Sequence, residues 1–208
     1  MKVEIWSDVV CPWCYIGKQR FDAALARFAH SDEIDVIWKS FELDPTARTQ
    51  SAASDEGVDG DYADRLARKY GTTRDSAQEM LDSMTAAAAA EGIDFRFDKA
   101  IRANTFDAHR VIHLAGDRGV QGAVKERLLR AYFTEGEAIG DRAVLARLGA
   151  EAGLDADEVR QVLEEQRYAD AVRADEAEAA RLGVSAVPFF VVDRMYGIAG
   201  ARSADQIL

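Results

Sequence analysis

The stretch IWSDVVCPWCYIG, residues 5–17, holds both cysteines of this 208-residue chain. Cys11 and Cys14 are separated only by a proline and a tryptophan. The apolar residues before them predict a short β-strand. A proline fits the first turn of a helix, where its missing N–H leaves no hydrogen bond unmade. The stretch therefore predicts that the two thiols lie where a strand meets a helix.

This placement gives the two cysteines different predicted roles. Cys11 would be the N-cap of the helix and Cys14 its third residue. Unpaired backbone N–H groups and the positive end of the helix dipole stabilise a thiolate, so we expect a lowered pKa and a nucleophilic sulfur at Cys11. Cys14 would lie one turn along the same face, within disulfide range, and would resolve a mixed disulfide formed at Cys11.

The segments that follow continue a strand–helix–strand pattern. Apolar residues at helical spacing predict a helix over about residues 12–29, and a β-branched and aromatic run predicts a strand over residues 34–43, before Pro45. This order indicates a parallel β-α-β unit. Residues 46–61 are small, polar and aperiodic, as is typical of a mobile loop.

A block of helices comes next. Residues 62–182 carry helical spacing almost throughout, with helix caps predicted at Thr73 and Asp141. A D-x-x-E pattern that begins at Asp155 predicts a long charged helix that ends at Gly183. We interpret its run of charges as a solvated face.

The chain therefore divides into three parts. Residues 1–45 form the first half of an α/β unit, residues 46–182 a loop, a helical insertion and a return helix, and residues 183–208 the second half. Strands are predicted there over residues 187–192 and 198–200, joined by a turn without a glycine at its second position. The sequence stops two residues after a predicted helix cap, so we expect the natural C-terminal end to lie beyond it.

Charge and hydropathy restrict the class of partner. The chain has 37 acidic and 26 basic residues and a net charge of -11, which disfavours nucleic acid and anionic membrane surfaces. It shows neither a signal peptide nor an apolar run of the ~20 residues that a membrane helix needs. We therefore expect a cytoplasmic protein, in which a C-x-x-C pair is typical of redox chemistry or metal binding.

A zinc site is the alternative for the two cysteines. His109 and His113 formally complete a C-x₂-C…H-x₃-H pattern, but they lie much further along the chain than the ~12–15 residues of a zinc finger. Arg110 stands where the H-E-x-x-H pattern of metalloproteases has its glutamate. Two buried, unreactive thiols are the other alternative. We expect no metal and no cofactor.

Three segments resemble one known family. SDVVCPWCYIG resembles the active-site segment of the cytoplasmic FrnE-like branch of the DsbA family, within the thioredoxin superfamily. NTFDAHRVI, residues 104–112, and GVSAVPFFVVDRMYGIAGARS, residues 183–203, are similar to that family in order and type. The resemblance covers nearly the whole chain. It implies a thioredoxin-like α/β fold, β-α-β … β-β-α, with a large all-helical insertion between the second and third strands.

The resemblance also implies the residues around the dithiol. Pro188 would form a cis peptide bond opposite the C-x-x-C motif and leave the backbone of Val187 free to pair with a substrate. Pro12 and Trp13 would support the site. Trp13 would either shape the substrate surface or pack on the insertion.

Further candidates come from the insertion and from the first strand. Asn104, Thr105 and His109 are candidate substrate contacts, with helix capping as the alternative for the first two. Asp8 either tunes the thiols from a buried position or is a solvated carboxylate at the end of the strand.

The predicted function is thiol–disulfide exchange at the CPWC motif, on a disulfide-containing protein or a small molecule such as glutathione disulfide. One alternative is an isomerase or glutathione transferase of the 2-hydroxychromene-2-carboxylate isomerase or kappa type. Another is a non-catalytic holdase or binding module. Oligomeric state stays open, although an apolar patch on the helical block would support a homodimer.

Overall fold

The computed structural model describes residues 1–48 and 60–208. Its described residues contain four strands, β1 (Lys2–Ser7), β2 (Asp35–Ser40), β3 (Phe189–Val192) and β4 (Tyr196–Ala199). They form one sheet in the order β2-β1-β3-β4. β1 runs parallel to β2 and antiparallel to β3, and β3 runs antiparallel to β4. The sheet is therefore assembled from both ends of the chain.

The helices follow the predicted distribution along the chain. Helix α1 joins β1 to β2, seven helices lie between β2 and β3, and α9 follows β4 within the described residues. Their bounds are α1 Pro12–Arg27, α2 Tyr62–Tyr70, α3 Arg74–Ala90, α4 Phe106–Asp117, α5 Gln121–Arg130, α6 Arg142–Glu151, α7 Ala156–Glu164, α8 Ala169–Arg181 and α9 Ala204–Ile207. Short 3₁₀ and π turns cover Ser31–Glu33 and Ala131–Glu135. The predicted thioredoxin-like fold with a helical insertion is confirmed.

Alternate residues of β1 face the two sides of the sheet, as the period of a strand requires. Ile5 belongs to the large apolar core that includes Phe21 of α1 and Phe190 of β3. Trp6 belongs to a smaller cluster on the other side, together with Ala179 of α8. The sheet is thus covered on both faces, and β1, which leads into the cysteines, lies at its centre.

The helical insertion shares its core with α1. Phe95, Phe97 and Phe133 form a group of aromatic rings whose centroids lie 4.8–6.1 Å apart. Tyr15 of α1 joins this group, with its ring centroid 6.1 Å from that of Phe95. Because offset aromatic pairs add to the energy of buried area, these contacts join the cysteine-bearing helix to the insertion.

Several helix ends were predicted correctly, and one was not. Thr73, Asp141 and Asp155 cap their helices through side-chain hydrogen bonds. The single long helix predicted from Asp155 is wrong, since α7 ends at Glu164 and α8 begins only at Ala169.

The physical reason for this break is a buried arginine on α4. The Arg110 guanidinium donates to the backbone carbonyls of Val162, Leu163 and Arg167, which satisfies groups at the end of α7 that a continuous helix would use itself. Tyr168 has a φ of 63°, which starts α8 in a new direction.

Other predicted segments can be placed in part. Most of the predicted loop over residues 46–61 lies outside the described residues. The turn after β3 has Asp193 and Arg194 in left-handed backbone conformations, with φ of 46° and 60°, although neither is glycine. Arg194 forms ion pairs with Glu4 and Glu178, which fix this turn. No helix in the part of the chain described is long and apolar enough to cross a membrane.

Candidate active site

The two cysteines lie at the start of α1. Cys11 is the N-cap residue, with extended backbone dihedrals of φ −97° and ψ 113°, and Pro12 is the first residue of the helix. The backbone N–H of Cys14 donates to the carbonyl of Cys11 over 3.0 Å, which closes the first turn. Both thiols are free, and both are buried, with 5% of Cys11 and 0% of Cys14 exposed.

The thiols interact with each other, and this decides how they ionise. The hydrogen bond with Cys14, together with burial, raises the pKa of Cys11 well above its usual value. Burial alone would raise the pKa of Cys14, but the hydrogen bond from Cys11 and the positive charge of Lys125 outweigh it, so the pKa of Cys14 is lowered. The expectation of a lowered pKa at Cys11 is therefore wrong for this state, because the neighbouring sulfur takes the negative charge first.

The segment before β3 forms the opposite wall of the site. The Val187–Pro188 peptide bond is cis. The sulfur of Cys11 lies 3.5 Å from the backbone carbonyl oxygen of Val187. The two halves of the thioredoxin-like fold therefore meet at the sulfur of Cys11.

Asp8 lies beneath the dithiol and is fully buried. Its carboxylate accepts hydrogen bonds from the backbone N–H of Val9 over 2.7 Å and of Leu43 over 2.8 Å. It also lies 3.3 Å from Nε2 of His109. Burial tends to raise the pKa of Asp8, but His109, the N–H of Leu43 and the charge of Lys125 outweigh it and lower that pKa. Of the two interpretations offered for Asp8, the structure shows the buried one.

A lysine that the sequence did not single out also acts on the pair. Lys125 of α5 is 1% exposed, and its ammonium donates to the carbonyl of Ser7 over 3.2 Å. It also lies 5.7 Å from the ring centroid of Trp38. Burial lowers the pKa of Lys125 to about 8. The available signal was helical spacing, since Lys125 shares a helix face with Leu128 and Leu129.

Cys11 opens onto a groove of about 1530 Å³ between the dithiol and the helical insertion. Trp13 is 40% exposed and lines this groove, so it shapes the open surface beside Cys11. Apolar, cationic and acidic side chains share the walls. They include Phe41, Leu43, Tyr62, Arg65, Leu66, Lys69, Tyr70, Met80, Met84 and Val187, together with Glu42, Asp44 and Glu79.

Comparison with known proteins agrees with this geometry. A family model described as DSBA-like thioredoxin domain matches residues 2–208. The chain belongs to this family.

Solved structures of similar proteins extend the comparison. The probable DsbA oxidoreductase SCO1869 from Streptomyces coelicolor is 45% identical, with a TM-score of 0.89 over 99% of this chain and 86% of that chain. The cytosolic disulfide reductase DsbM from Pseudomonas aeruginosa, also solved with GSH, is 20% identical, with a TM-score of 0.64 over 95% of this chain and 89% of that one. A 2-hydroxychromene-2-carboxylate isomerase is 15% identical, with a TM-score of 0.65 over 100% and 91%. The last two show likeness of fold.

The remaining candidates of this DSBA-like chain lie away from the groove walls. Asn104 accepts a hydrogen bond from the N–H of Phe106 over 3.0 Å and donates to the carbonyl of Pro45 over 3.3 Å, which is the capping interpretation. Thr105 is buried at the start of α4 and makes no side-chain cap. His109 is 1% exposed, so it reaches the dithiol region through Asp8 and does not reach solvent in this state.

His113 belongs to a second buried network. Its Nε2 lies 3.1 Å from Oγ of Ser40 and 3.1 Å from Oδ2 of Asp175. The other carboxylate oxygen, Oδ1, accepts from Lys39 over 2.7 Å. Asp175 therefore departs from the solvated face predicted for its helix, because it holds β2 to α8. No group of three or more histidine, cysteine or acidic side chains in the described ranges is placed to hold a metal ion.

Proposed function

We propose that the chain is a dithiol–disulfide oxidoreductase in which Cys11 is the nucleophile and Cys14 the resolving thiol. The observation that carries this proposal is the arrangement of two free, hydrogen-bonded thiols, one at the groove and one beneath it. A pair of this kind can form a disulfide with itself after it has attacked another disulfide.

Access supports the choice of Cys11. Its sulfur borders the groove, whereas Cys14 is fully buried and does not line it. Of the two thiols, Cys14 has the lowered pKa and ionises first, so Cys11 must lose its proton as it attacks. The hydrogen bond between the two thiols supplies a direct route, because the proton of Cys11 can pass to the Cys14 sulfur that already accepts it.

The electrons then balance over two steps. The Cys11 thiolate attacks one sulfur of a substrate disulfide, the substrate S–S bond breaks, and the departing thiolate takes a proton from the medium. Cys14 then loses its proton and attacks Cys11, which forms the Cys11–Cys14 disulfide and releases the second substrate thiol. The substrate gains two electrons and the protein loses two. A dithiol reductant must return them before the next cycle.

The groove supports a disulfide-containing polypeptide or a small peptide disulfide as substrate. It is long, open and partly apolar beside Trp13, and cationic side chains of α2 border it. Glutathione disulfide fits the smaller class, in keeping with the GSH named for the DsbM structure. We place the reaction in the cytoplasm and in the direction of reduction, because that compartment keeps thiols reduced.

Insulin reduction by the wild-type protein with a dithiol reductant tests the proposal. Cys11→Ser should abolish turnover. Cys14→Ser should block turnover but retain a mixed disulfide with substrate, visible by mass spectrometry and lost on reduction. The proposal is overturned if Cys11→Ser keeps wild-type turnover, or if Cys14→Ser forms no adduct while folded.

The likeness of fold to the 2-hydroxychromene-2-carboxylate isomerase supports a second candidate function, that of an isomerase. A glutathione-dependent isomerase would bind one glutathione thiol and would need no resolving cysteine. Cys14→Ser would then retain isomerase activity with added glutathione, whereas the oxidoreductase loses turnover. A holdase would suppress aggregation of an unfolded protein equally well in the Cys11→Ser variant.

A further inference from the structure

A buried ammonium group from outside the thioredoxin-like halves lies at the end of β1, the strand that leads into the redox pair. Lys125 belongs to α5 of the helical insertion, and the carbonyl that accepts its hydrogen bond is that of Ser7, at the end of β1. Its side chain lies between this carbonyl and the face of Trp38. The ammonium is therefore held in place at the end of β1, and Lys125 does not line the groove.

Burial of a charge without a carboxylate partner is costly, so such a lysine needs an electrostatic reason. Within the described residues Lys125 forms no salt bridge, and its one hydrogen bond goes to a neutral carbonyl. The negative charge of the reduced Cys11–Cys14 pair favours the charged ammonium, and so does Asp8. In the disulfide state the charge on the sulfurs is absent, and only Asp8 remains of these favourable partners.

We propose that Lys125 is a positioning residue of the helical insertion that sets the redox potential of the Cys11–Cys14 pair. Its ammonium stabilises the reduced, singly anionic pair and has no such partner in the disulfide. This proposal rests on the proposed function, but its test measures the two thiols of the protein and needs no substrate.

The sign follows from the half-reaction. The Cys11–Cys14 disulfide takes up two electrons from an external dithiol and one proton, its S–S bond breaks, and one thiol and one thiolate remain. A positive charge beside the thiolate lowers the free energy of the reduced side only. Lys125 therefore raises the potential and makes the disulfide easier to reduce.

Other charged groups near Lys125 do not replace it. Asp8, from the turn after β1, opposes the thiolate and lies close to His109 of α4. Lys18 of α1 also approaches, but it is paired with Asp22 over 2.6 Å and with Glu126 over 3.0 Å. These two acids balance the charge of Lys18. Lys18 is therefore a matched control for Lys125, because it is a second, largely buried lysine whose charge already has partners.

The experiment equilibrates the protein with a glutathione redox buffer and also titrates the thiolate absorbance at 240 nm. Lys125→Met removes the charge and keeps an unbranched apolar side chain. We expect the equilibrium to move toward the disulfide by about tenfold, equivalent to about 30 mV for a two-electron couple, and the lower thiol pKa to rise. Lys18→Met should leave both quantities within about twofold of the wild type.

A folded Lys125→Met variant with wild-type potential and thiol pKa overturns the proposal, as does an equal shift in Lys18→Met. The wild type supplies a second measurement in case Lys125→Met does not fold. Between its lower thiol pKa and pH 9, where the pair itself takes up only one proton on reduction, the potential should show uptake of an additional proton, since the thiolate favours the charged lysine. A profile with one proton throughout that range also overturns the proposal. Failure to reduce insulin, with these shifts present, would count against the proposed function alone.

Discussion

Gly17 lies directly against Pro188, so that a β-carbon on Gly17 would stand only 2.8 Å from Cγ of the proline. Gly17 is on the second turn of α1, and Pro188 follows Val187, whose carbonyl oxygen lies 3.5 Å from the Cys11 sulfur. The close approach of helix and proline therefore sets the distance between the dithiol and its opposite wall.

Replacement of this glycine should disturb both stability and exchange. Gly17→Ala forces the helix and Pro188 apart, at a cost of ~1–3 kcal/mol. We expect a lower midpoint of chemical unfolding and slower reaction of Cys11 with a disulfide reagent. Gly122→Ala in α5 is the control. A β-carbon on Gly122 would have Trp38 Nε1, 3.9 Å away, as its nearest contact. That change should stabilise by ~0.5–1 kcal/mol. Equal effects of the two changes would contradict this account.

The two thiols should titrate as a pair that shares one proton. Thiolate absorbance should rise in two steps, the first below the usual thiol pKa and the second above it, because Cys14 ionises first and then opposes Cys11. Cys14→Ser removes that negative neighbour, so the pKa of Cys11 should fall below the second step of the wild type. Two independent, ordinary thiol titrations in the wild type would show that the sulfurs do not interact.

Stability should depend on pH through His109. Burial depresses the pKa of this histidine in the folded protein, although Asp8 acts against the shift. The unfolded chain therefore binds a proton near pH 6.5 that the folded protein accepts only at lower pH, so stability falls as pH decreases from 7 toward 5. His109→Gln should flatten this slope, measured by urea unfolding at several pH values. The exposed His30→Gln should keep it, and an unchanged slope in His109→Gln would be inconsistent with the prediction.

Arg110 should be the arginine whose loss costs most stability in the insertion. It is buried and donates to three backbone carbonyls as well as to Asp107 over 2.6 Å. Arg110→Met leaves those carbonyls without a donor and should cost ~3 kcal/mol. Arg160→Met removes an exposed ion pair with Asp157 and should change stability by no more than ~1 kcal/mol. Thermal unfolding of the two variants measures this difference. Equal shifts of the unfolding midpoint in Arg110→Met and Arg160→Met would contradict the prediction.

Local patterns were enough for much of the fold. The strand before Cys11, the proline at the start of α1 and the caps at Thr73 and Asp155 each depend on neighbours a few residues away, and all were readable in the sequence. The break between α7 and α8 was not, because its cause is Arg110, more than fifty residues earlier.

The same division holds at the site. The C-x-x-C spacing predicts two adjacent thiols, since one helical turn fixes it. The order in which they ionise depends on burial and on Lys125, which a sequence pattern does not locate next to Cys14. Likewise, a buried aspartate such as Asp8 and a solvated aspartate at the end of a strand have the same sequence pattern. Only the packing of α4 over the strand end distinguishes them.

Glu126 joins the helical insertion to the cysteine helix. Its carboxylate accepts hydrogen bonds from Tyr15 over 2.8 Å and from Gln19 over 3.0 Å, and it pairs with Lys18. Three successive contacts along α1 thus converge on one acid of α5. Removal of the insertion would leave the side chains of Tyr15, Lys18 and Gln19 without their shared partner. A smaller thioredoxin-like protein made from this chain would therefore need a redesigned surface on α1.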